Sequence, residues 1–166
     1  MPSGRIRPYS LCGNPADRET YRIGVLDVPE GRGGSAEVHS LRTGQRISVS
    51  RPRNTLPLVL ADQYLFIAGG IGITPLLPMI RAVAAAGREW QVLYGGRSRN
   101  AMAFVDELLV LGRDRVRLVP EDTHGLPELA ATLAATRPGA AWPTATGTVA
   151  TSSARASPGP TARPSW

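Results

Sequence analysis

Apolar residues in the second half of the chain follow two patterns that alternate along the sequence. Short unbroken apolar runs, typical of buried strands, alternate with longer segments whose apolar residues recur every three or four positions, as on one face of a helix. The predicted elements are, in order, a strand at 64–68, a helix over about 74–86 ended by Gly87, a strand at 90–94, a helix over about 101–111 ended by Gly112, a strand at 115–119 and a helix from Leu126 to Ala135. This order predicts an α/β unit with a doubly wound parallel sheet.

The first half of the chain has shorter patterns that glycine and proline interrupt. Segments 7–12, 21–26 and 44–50 are predicted to be strands, because apolar and polar residues alternate or turn residues bound the run. The proline-punctuated stretch 51–58 then separates the two halves, which places a domain boundary near residue 60. The predicted domains are therefore 1–59, 60–136 and a tail, 137–166.

Composition sets the tail apart from the rest of the chain. From Arg137 onward Ala, Pro, Thr, Ser, Gly and Arg dominate, and apolar periodicity is lost. Such a composition is typical of disorder, because too little apolar surface is available to bury. The abrupt onset of this bias favours the hypothesis that the tail is translated in a shifted reading frame.

The formal net charge is +6, and every basic side chain is arginine, since the sequence contains no lysine. The arginines are scattered, which does not favour nucleic acid as a partner; a basic surface of this kind suits anionic cofactors or an acidic protein, with an ordinary solvated face as the alternative. The single cysteine, Cys12, excludes an internal disulfide and a cysteine-ligated metal cluster, and no metal site is predicted. No apolar run is long enough to span a membrane and no signal-peptide pattern is present, so a cytoplasmic protein is predicted.

The strongest candidate chemistry lies in the turn Gly69-Gly70-Ile71-Gly72-Ile73-Thr74-Pro75, between the first apolar strand and its helix. Glycine permits positive φ and lets a ligand approach the backbone. Thr74 is predicted to cap the helix, and Pro75 suits its first turn. Free N–H groups and the helix dipole favour a phosphate there. The turn therefore predicts a nucleotide pyrophosphate site, with a purely steric strand-to-helix turn as the alternative.

Two motifs of the first half suit a similar ligand. Arg7 and Tyr9 would share one face of a regular strand, where a cation beside an aromatic plane could hold a phosphate and stack on a ring. An exposed edge strand is the alternative. Gly33 and Gly34 lead into Ser35, which is predicted to cap a short helix and to form a second phosphate site. A flexible hairpin loop is the alternative there.

These motifs, in their order and spacing, resemble the ferredoxin–NADP reductase superfamily. The resemblance is greatest to the phthalate dioxygenase reductase and vanillate demethylase reductase group, and it runs from about Arg5 to Leu133, including Tyr94–Ser98 and Phe104–Leu108. It implies a flavin-binding antiparallel β-barrel followed by an NAD(P)-binding α/β domain. It also implies hydride transfer from the nicotinamide to N5 of the flavin.

The resemblance implies a role for each motif. Arg7 would hold the flavin phosphate together with Ser35 and the amides of Gly33 and Gly34. Tyr9 would pack on the isoalloxazine, and Ser10, which would lie near N5, is the candidate catalytic residue. The turn at 69–72 with Thr74 and Pro75 would bind the dinucleotide pyrophosphate.

The implied cofactors are FMN, with FAD as the alternative, and NADH. NADPH stays open, because Arg97 and Arg99 follow the second strand of the α/β unit, where a dinucleotide fold uses arginine to accommodate a 2′-phosphate. The implied electron acceptor is an iron–sulfur ferredoxin or an oxygenase component, whose 2Fe–2S cluster this chain does not carry.

Two departures from the family pattern leave other functions open. The earlier barrel strands are missing before Arg7, and the family strand that ends in Cys-Gly-Pro is not found at residues 140–148. A truncated fragment that only binds nucleotide is therefore the alternative function. A stand-alone dehydrogenase is not favoured, because the chain has no lysine for a Tyr–Lys pair and His39 and His124 have no evident acidic partner.

Overall fold

A parallel sheet of four strands, in the order β3-β2-β1-β4, forms the centre of the molecule in a computed structural model. The structure describes residues 4–127, Leu129 and the pair Thr144–Ala145. In chain order the elements are α1 (Gly34–His39), β1 (Gln63–Gly69), a 3-10 turn (Gly70–Gly72), α2 (Ile73–Ala85), β2 (Glu89–Gly96), a 3-10 turn (Arg99–Ala101), α3 (Val105–Gly112), a 3-10 turn (Arg113–Arg115), β3 (Val116–Pro120), α4 (Glu121–His124) and β4 (Thr144–Ala145).

The predicted α/β unit is confirmed, with element ends shifted by a few residues. β1 pairs with β2 from Gln63 opposite Glu89 to Gly69 opposite Gly95. β2 pairs in turn with β3, again in parallel. Each parallel connection needs a crossover, and α2 and α3 supply the two crossovers between these strands.

The pairing of β4 corrects an expectation from the sequence. Residues 140–148 lack a recognisable family strand, yet Thr144 and Ala145 pair in parallel with Ile67 and Ala68 of β1. Two residues can join a sheet through backbone hydrogen bonds alone, so a strand this short has no apolar run by which the sequence could predict it. β1 is therefore an internal strand. The remainder of the tail 137–166, and with it the expectation of disorder, lies outside the described residues, as does most of the helix predicted over 126–135.

The two faces of the sheet bury different clusters, because successive strand residues point to opposite sides. The larger cluster includes the aromatic residues Tyr64, Phe66, Trp90 and Tyr94 of the sheet together with the apolar face of α2 (Ile73, Leu76, Leu77, Ile80 and Val83). The smaller cluster contains Leu65, Ile67, Leu93 and Val119. Phe66 is completely buried at the centre of β1.

The end of α2 is decided by Gly87, as the sequence predicts. Gly87 has a φ of 66°. The amide of Gly87 donates to the carbonyl of Ala84 (3.0 Å), and the amide of Arg88 donates to the carbonyl of Val83 (3.1 Å). These two bonds form a Schellman motif, which needs a left-handed residue after the helix.

The strands predicted in the first half are wrong as regular elements. Within residues 4–62 the only β-type pairing is an isolated antiparallel bridge between Leu11 and Ile23. Segment 44–50 pairs with no other strand there, and its apolar residues Ile47 and Val49 are exposed. Alternation indicates a strand only where a neighbouring strand completes the ladder, and two short segments rarely suffice. The structure therefore does not confirm the antiparallel flavin-binding barrel, and the boundary near residue 60 stays a prediction.

The first half is nevertheless attached to the α/β unit. Cys12 is fully buried within the larger core cluster. A Cβ on Gly24 would lie 2.9 Å from both the Phe104 ring and the Thr74 methyl group. Only glycine at position 24 permits this close packing.

In the part of the chain that the structure describes, no helix is long and apolar enough to cross a membrane.

Replacing Phe66 by Ala tests whether β1 is the central strand of the core. We expect the free energy of unfolding to fall by about 3–5 kcal/mol, because the change removes buried ring atoms and leaves a cavity. Denaturant unfolding measures the loss. Val110→Ala, on α3 at a position 87% exposed, is the control and should change stability by about 0.5 kcal/mol at most. A loss for Phe66→Ala as small as that of the control would contradict the assigned core.

Candidate functional site

The glycine-rich turn lies at the carboxyl end of β1, where the strand order of the sheet reverses. From β1 the chain proceeds to β2 and β3 on one side, whereas β4 pairs on the other side. In open parallel α/β sheets this reversal opens a crevice at the carboxyl ends of the strands, and ligands bind there. Gly69 ends β1, and the turn Gly70–Gly72 leads directly into α2.

The turn is shaped to accept a ligand at its backbone. Gly70 has a φ of 50°, and a Cβ built there would meet no heavy atom within 4 Å. The amides of Gly70, Ile71 and Gly72 begin the helical segment, where N–H groups have no acceptor within the helix. The positive end of the dipole of α2 faces the same space. Open space, amide donors and a positive dipole together fit the pyrophosphate of a dinucleotide.

The structure corrects the predicted part of Thr74. The turn at Gly70–Gly72 starts the helical backbone earlier than expected, so Thr74 is the second residue of α2 and not its cap. Its hydroxyl donates to the carbonyl of Ile71 at 2.9 Å, and the residue is buried. Thr74 therefore stabilises the turn from within. Pro75 lies in the first turn of α2, as predicted, where its missing N–H costs no helical hydrogen bond.

Tyr94 supports the turn from β2, and the sequence analysis missed it. Its side chain is fully buried, and its hydroxyl donates to the carbonyl of Gly70 at 2.9 Å, with the carbonyl of Ala103 at 3.2 Å. Burial raises the pKa of Tyr94 to about 12, so the hydroxyl keeps its proton even above pH 10. The parallel register places Tyr94 opposite Ala68, next to the glycine turn. Tyr94 can therefore be recognised as a neighbour of the turn only when the register between β1 and β2 is known.

The second predicted cluster is brought together in part. Arg7 lies over the Gly33–Gly34 turn, since a Cβ on Gly34 would be 3.0 Å from the Nε atom of Arg7. Arg5, which the sequence analysis did not single out, lies over Gly33 in the same way, with Nη1 3.2 Å from the Cβ position. Two guanidinium groups therefore flank one glycine turn. This arrangement fits a phosphate monoester, which arginine recognises with paired N–H groups.

Ser35 does not cap α1, contrary to the prediction. The cap is Gly33, which adopts a left-handed conformation (φ 76°), and the helix begins at Gly34. The Ser35 hydroxyl accepts a hydrogen bond from the amide of Val28 at 3.2 Å and lies 3.4 Å from the Val28 carbonyl. It thus closes the loop 28–35. Its predicted bond to a phosphate stays a prediction.

Tyr9 and Ser10 lie beside the arginine cluster in sequence, and the structure leaves their roles open. Tyr9 is half-buried and Ser10 is exposed. The two histidines bond to local groups: His39 lies 3.1 Å from the carbonyl of Val25, and His124 lies 2.7 Å from the hydroxyl of Thr123. Among the described residues, no group of three or more His, Cys, Asp or Glu side chains could hold a metal ion.

Comparison with known proteins gives a consistent result. Residues 66–158 match the model of the oxidoreductase NAD-binding domain family, a range that includes the glycine turn and extends into the tail. Phenoxybenzoate dioxygenase subunit beta of Ectopseudomonas oleovorans is 46% identical over 144 residues, which are 84% of this chain and 44% of the relative. Vanillate O-demethylase oxidoreductase of Pseudomonas sp. (strain HR199 / DSM 7063) is 46% identical over 112 residues, 66% of this chain and 35% of that protein.

A solved structure shows the same fold. The match to an intact type IV self-sufficient cytochrome P450 monooxygenase has a TM-score of 0.71 and 40% identity, and it covers 81% of this chain and 18% of that one. The chain spans less than half the length of the two curated relatives described above. The predicted resemblance to phthalate dioxygenase and vanillate demethylase reductases is confirmed.

Replacing Tyr94 by Phe removes the bond to Gly70 and a buried ionisable group. Because burial raises the pKa of Tyr94 from 10.0 to about 12, the folded protein keeps a proton that the unfolded chain loses above pH 10. The stabilisation that this group provides is therefore fully present below pH 10, and the free energy of unfolding falls as the pH rises towards 12. We expect the wild type to lose about 2–3 kcal/mol over this range for this reason, and Tyr94→Phe to lose that much less.

At neutral pH Tyr94→Phe should destabilise by about 1 kcal/mol, the value of one neutral hydrogen bond. Denaturant unfolding at a series of pH values measures both effects. Tyr21→Phe, at a position 58% exposed, is the matched control and should follow the wild type throughout. Parallel curves for the wild type and Tyr94→Phe would exclude the buried hydroxyl as the cause.

Proposed function

Because the chain belongs to the oxidoreductase NAD-binding domain family, within the ferredoxin–NADP reductase superfamily, we propose that it binds NADH at the glycine turn and forms part of a flavin-dependent reductase of an oxygenase system. The position of the turn supports this most strongly: there is open space beside Gly70 at the point where the strand order reverses. The named relatives belong to dioxygenase and demethylase systems.

In this reaction the protein positions the two cofactors and does not need to supply acid–base chemistry. When bound, the reduced nicotinamide supplies a hydride and the oxidised flavin takes it up. The amides of Gly70, Ile71 and Gly72 hold the pyrophosphate, and Tyr94 fixes the carbonyl of Gly70 so that those amides keep their direction. Orientation of the two rings accounts for most of what a protein contributes to such a step.

The proposed flavin site is the cluster of Arg5 and Arg7 over the Gly33–Gly34 turn. Two guanidinium groups suit the single dianionic phosphate of FMN, which is why we propose FMN, with FAD as the alternative. Arg5 also forms an ion pair with Glu37 on α1 at 3.8 Å. Tyr9 would pack on the ring system and Ser10 would lie near N5, following the family resemblance.

Arg99 bears on the choice between NADH and NADPH. Its guanidinium lies 3.4 Å from the carboxylate of Asp106 on α3. Both side chains are exposed, so this weak pair does not decide between the two nucleotides. NADH is proposed from the family resemblance, with NADPH as the alternative.

The proposed electron acceptor is an iron–sulfur ferredoxin or an oxygenase component.

A second candidate function is nucleotide binding without a flavin, which the lack of strands within residues 4–62 favours. Purified protein separates the two functions. Bound flavin together with NADH-dependent reduction of ferricyanide would support the reductase, whereas flavin-free protein that binds NADH saturably would support the alternative.

Gly70→Ala tests the pyrophosphate site. A Cβ at this position would project into the open space in front of the turn, so we expect NADH to bind about tenfold more weakly or worse, the loss of one charge-assisted hydrogen bond. Fluorescence titration or calorimetry measures the affinity. Gly87→Ala is a matched control, because Gly87 also has a positive φ and open space around it but lies at the other end of α2. Equal loss of affinity in both variants would indicate a general effect on α2 and contradict the assigned site.

Arg7→Gln tests the flavin site separately. Loss of a charged donor to phosphate should weaken FMN binding by about tenfold, while NADH affinity stays at the wild-type value. Equilibrium dialysis with each cofactor measures the two affinities. Arg46→Gln, an exposed arginine of the same half, should change neither. Unchanged FMN affinity in Arg7→Gln would remove Arg7 from the site.

A further inference from the structure

Glu107 on α3 joins two arginines that come from distant parts of the chain. Arg22, in the first half, donates two hydrogen bonds to its carboxylate, Nη1 to Oε2 at 3.0 Å and Nη2 to Oε1 at 2.7 Å. Arg81, on α2, donates to Oε2 as well. Arg81 also donates from Nη1 to the carbonyl of Cys12 at 3.1 Å. One carboxylate therefore connects the first half of the chain with both helices.

An aromatic contact reinforces this junction. The Arg22 guanidinium lies 4.9 Å from the centroid of the Phe104 ring. Phe104, which precedes α3, has a φ of 59° and is the only residue other than glycine with a positive φ in the described chain. Its ring also packs against Gly24, where no Cβ would fit. A strained backbone persists only where surrounding contacts hold it, and here the strain directs the ring towards Arg22 and Gly24.

The electrostatics agree with a firm link. Hydrogen bonding from Arg22 lowers the pKa of Glu107, and the same bond raises the pKa of Arg22. The Glu107 side chain is one-third exposed. Isolated ion pairs on the surface contribute little, whereas a bidentate pair within a network of three charges has better geometry for a net contribution.

The two arginines lead to the two proposed cofactor sites. The carbonyl of Arg22 accepts a hydrogen bond from the Cys12 amide (2.8 Å), and Cys12 lies two residues after the proposed flavin segment Arg7–Ser10. Arg81 lies on α2, whose first turn forms the proposed pyrophosphate site. The carboxylate of Glu107 thus bonds to both arginines, beside the direct bond from Arg81 to the carbonyl of Cys12.

We propose that Glu107 is a positioning residue, which through Arg22 and Arg81 fixes the flavin segment relative to the glycine turn. The inference rests on the proposed function, because the distance it sets is the one between the two reacting rings. Hydride transfer depends steeply on that distance, and a displacement of about 1 Å can cost a factor of about 100 in rate. Glu107 itself touches neither cofactor in this proposal.

The test uses Glu107→Gln, which keeps the size of the side chain and removes its charge. Two quantities are measured on the full chain: kcat and KM for NADH with FMN bound and ferricyanide as acceptor, and the rate at which a thiol reagent modifies Cys12. Cys12 is the only cysteine and is fully buried at this junction. Its rate of modification reports opening of the junction without any cofactor.

We expect Glu107→Gln to raise the Cys12 modification rate by about tenfold and to lower kcat by about tenfold, as for loss of one charged hydrogen bond. KM for NADH and the FMN content should stay at the wild-type values. Glu89→Gln is the matched control, because Glu89 forms an exposed ion pair with Arg115 at the amino end of β2. It should leave both quantities unchanged.

Arg22→Gln separates opening from a direct effect of charge on the thiol. Burial raises the pKa of the Cys12 thiol, while the charge of Arg22 lowers that pKa and the charge of Glu107 raises it. A purely electrostatic effect would therefore speed modification in Glu107→Gln and slow it in Arg22→Gln. Opening of the junction would speed it in both variants.

Three results would overturn the inference: a Cys12 rate that stays at the wild-type value in both variants, opposite changes of that rate in the two variants, or a raised rate with unchanged kcat. A wild type that binds NADH but reduces no flavin would instead refute the proposed function. The hydride-transfer part of the inference would fall with it, while the Cys12 rates would still decide whether Glu107 holds the junction.

Discussion

The candidate site depends on how the chain leaves β1. This strand is paired on both sides and buried on both faces, so the backbone must turn at its carboxyl end and enter α2 without exposing the core. The turn takes three residues, and one of them, Gly70, has a conformation that side chains disfavour. Tyr94 then holds the Gly70 carbonyl from the neighbouring strand. The same packing that closes the core therefore opens the amide groups of the turn to a ligand.

This origin explains why backbone groups dominate the chemistry of the site. Thr74 and Ser35 are the two residues whose hydroxyl groups are predicted to face phosphates. Both hydroxyl groups form hydrogen bonds with nearby backbone groups. Tyr94 is buried, and because burial raises its pKa to about 12 it keeps its proton even above pH 10. The hydrogen bonds of these side chains hold the backbone of the two turns. That division of labour suits a reaction whose reactive atoms belong to cofactors.

The two halves of the chain are linked mainly by side chains. Within residues 4–62 the backbone forms one short helix and one isolated bridge, so sheet pairing does not fix this half. Its position relative to the α/β unit follows instead from the buried Cys12, the close packing of Gly24 and the pairs of Glu107 with Arg22 and Arg81. Polar links of this kind depend on geometry, and removing Glu107 would leave Arg22 without its carboxylate acceptor, whereas Arg81 would keep the carbonyl of Cys12.

The sequence by itself determined the elements between residues 63 and 120, the glycine turn and the end of α2 at Gly87, because apolar periodicity and glycine act through neighbouring residues. Tertiary structure alone decided which partners these elements meet. Tyr94 and Gly70 are 24 positions apart, and Arg22 and Glu107 are 85 positions apart, so no local pattern announces either contact. The pairing of Thr144–Ala145 with β1 and the failure of segment 44–50 to form a strand have the same physical reason. A strand exists only when another strand supplies its hydrogen bonds.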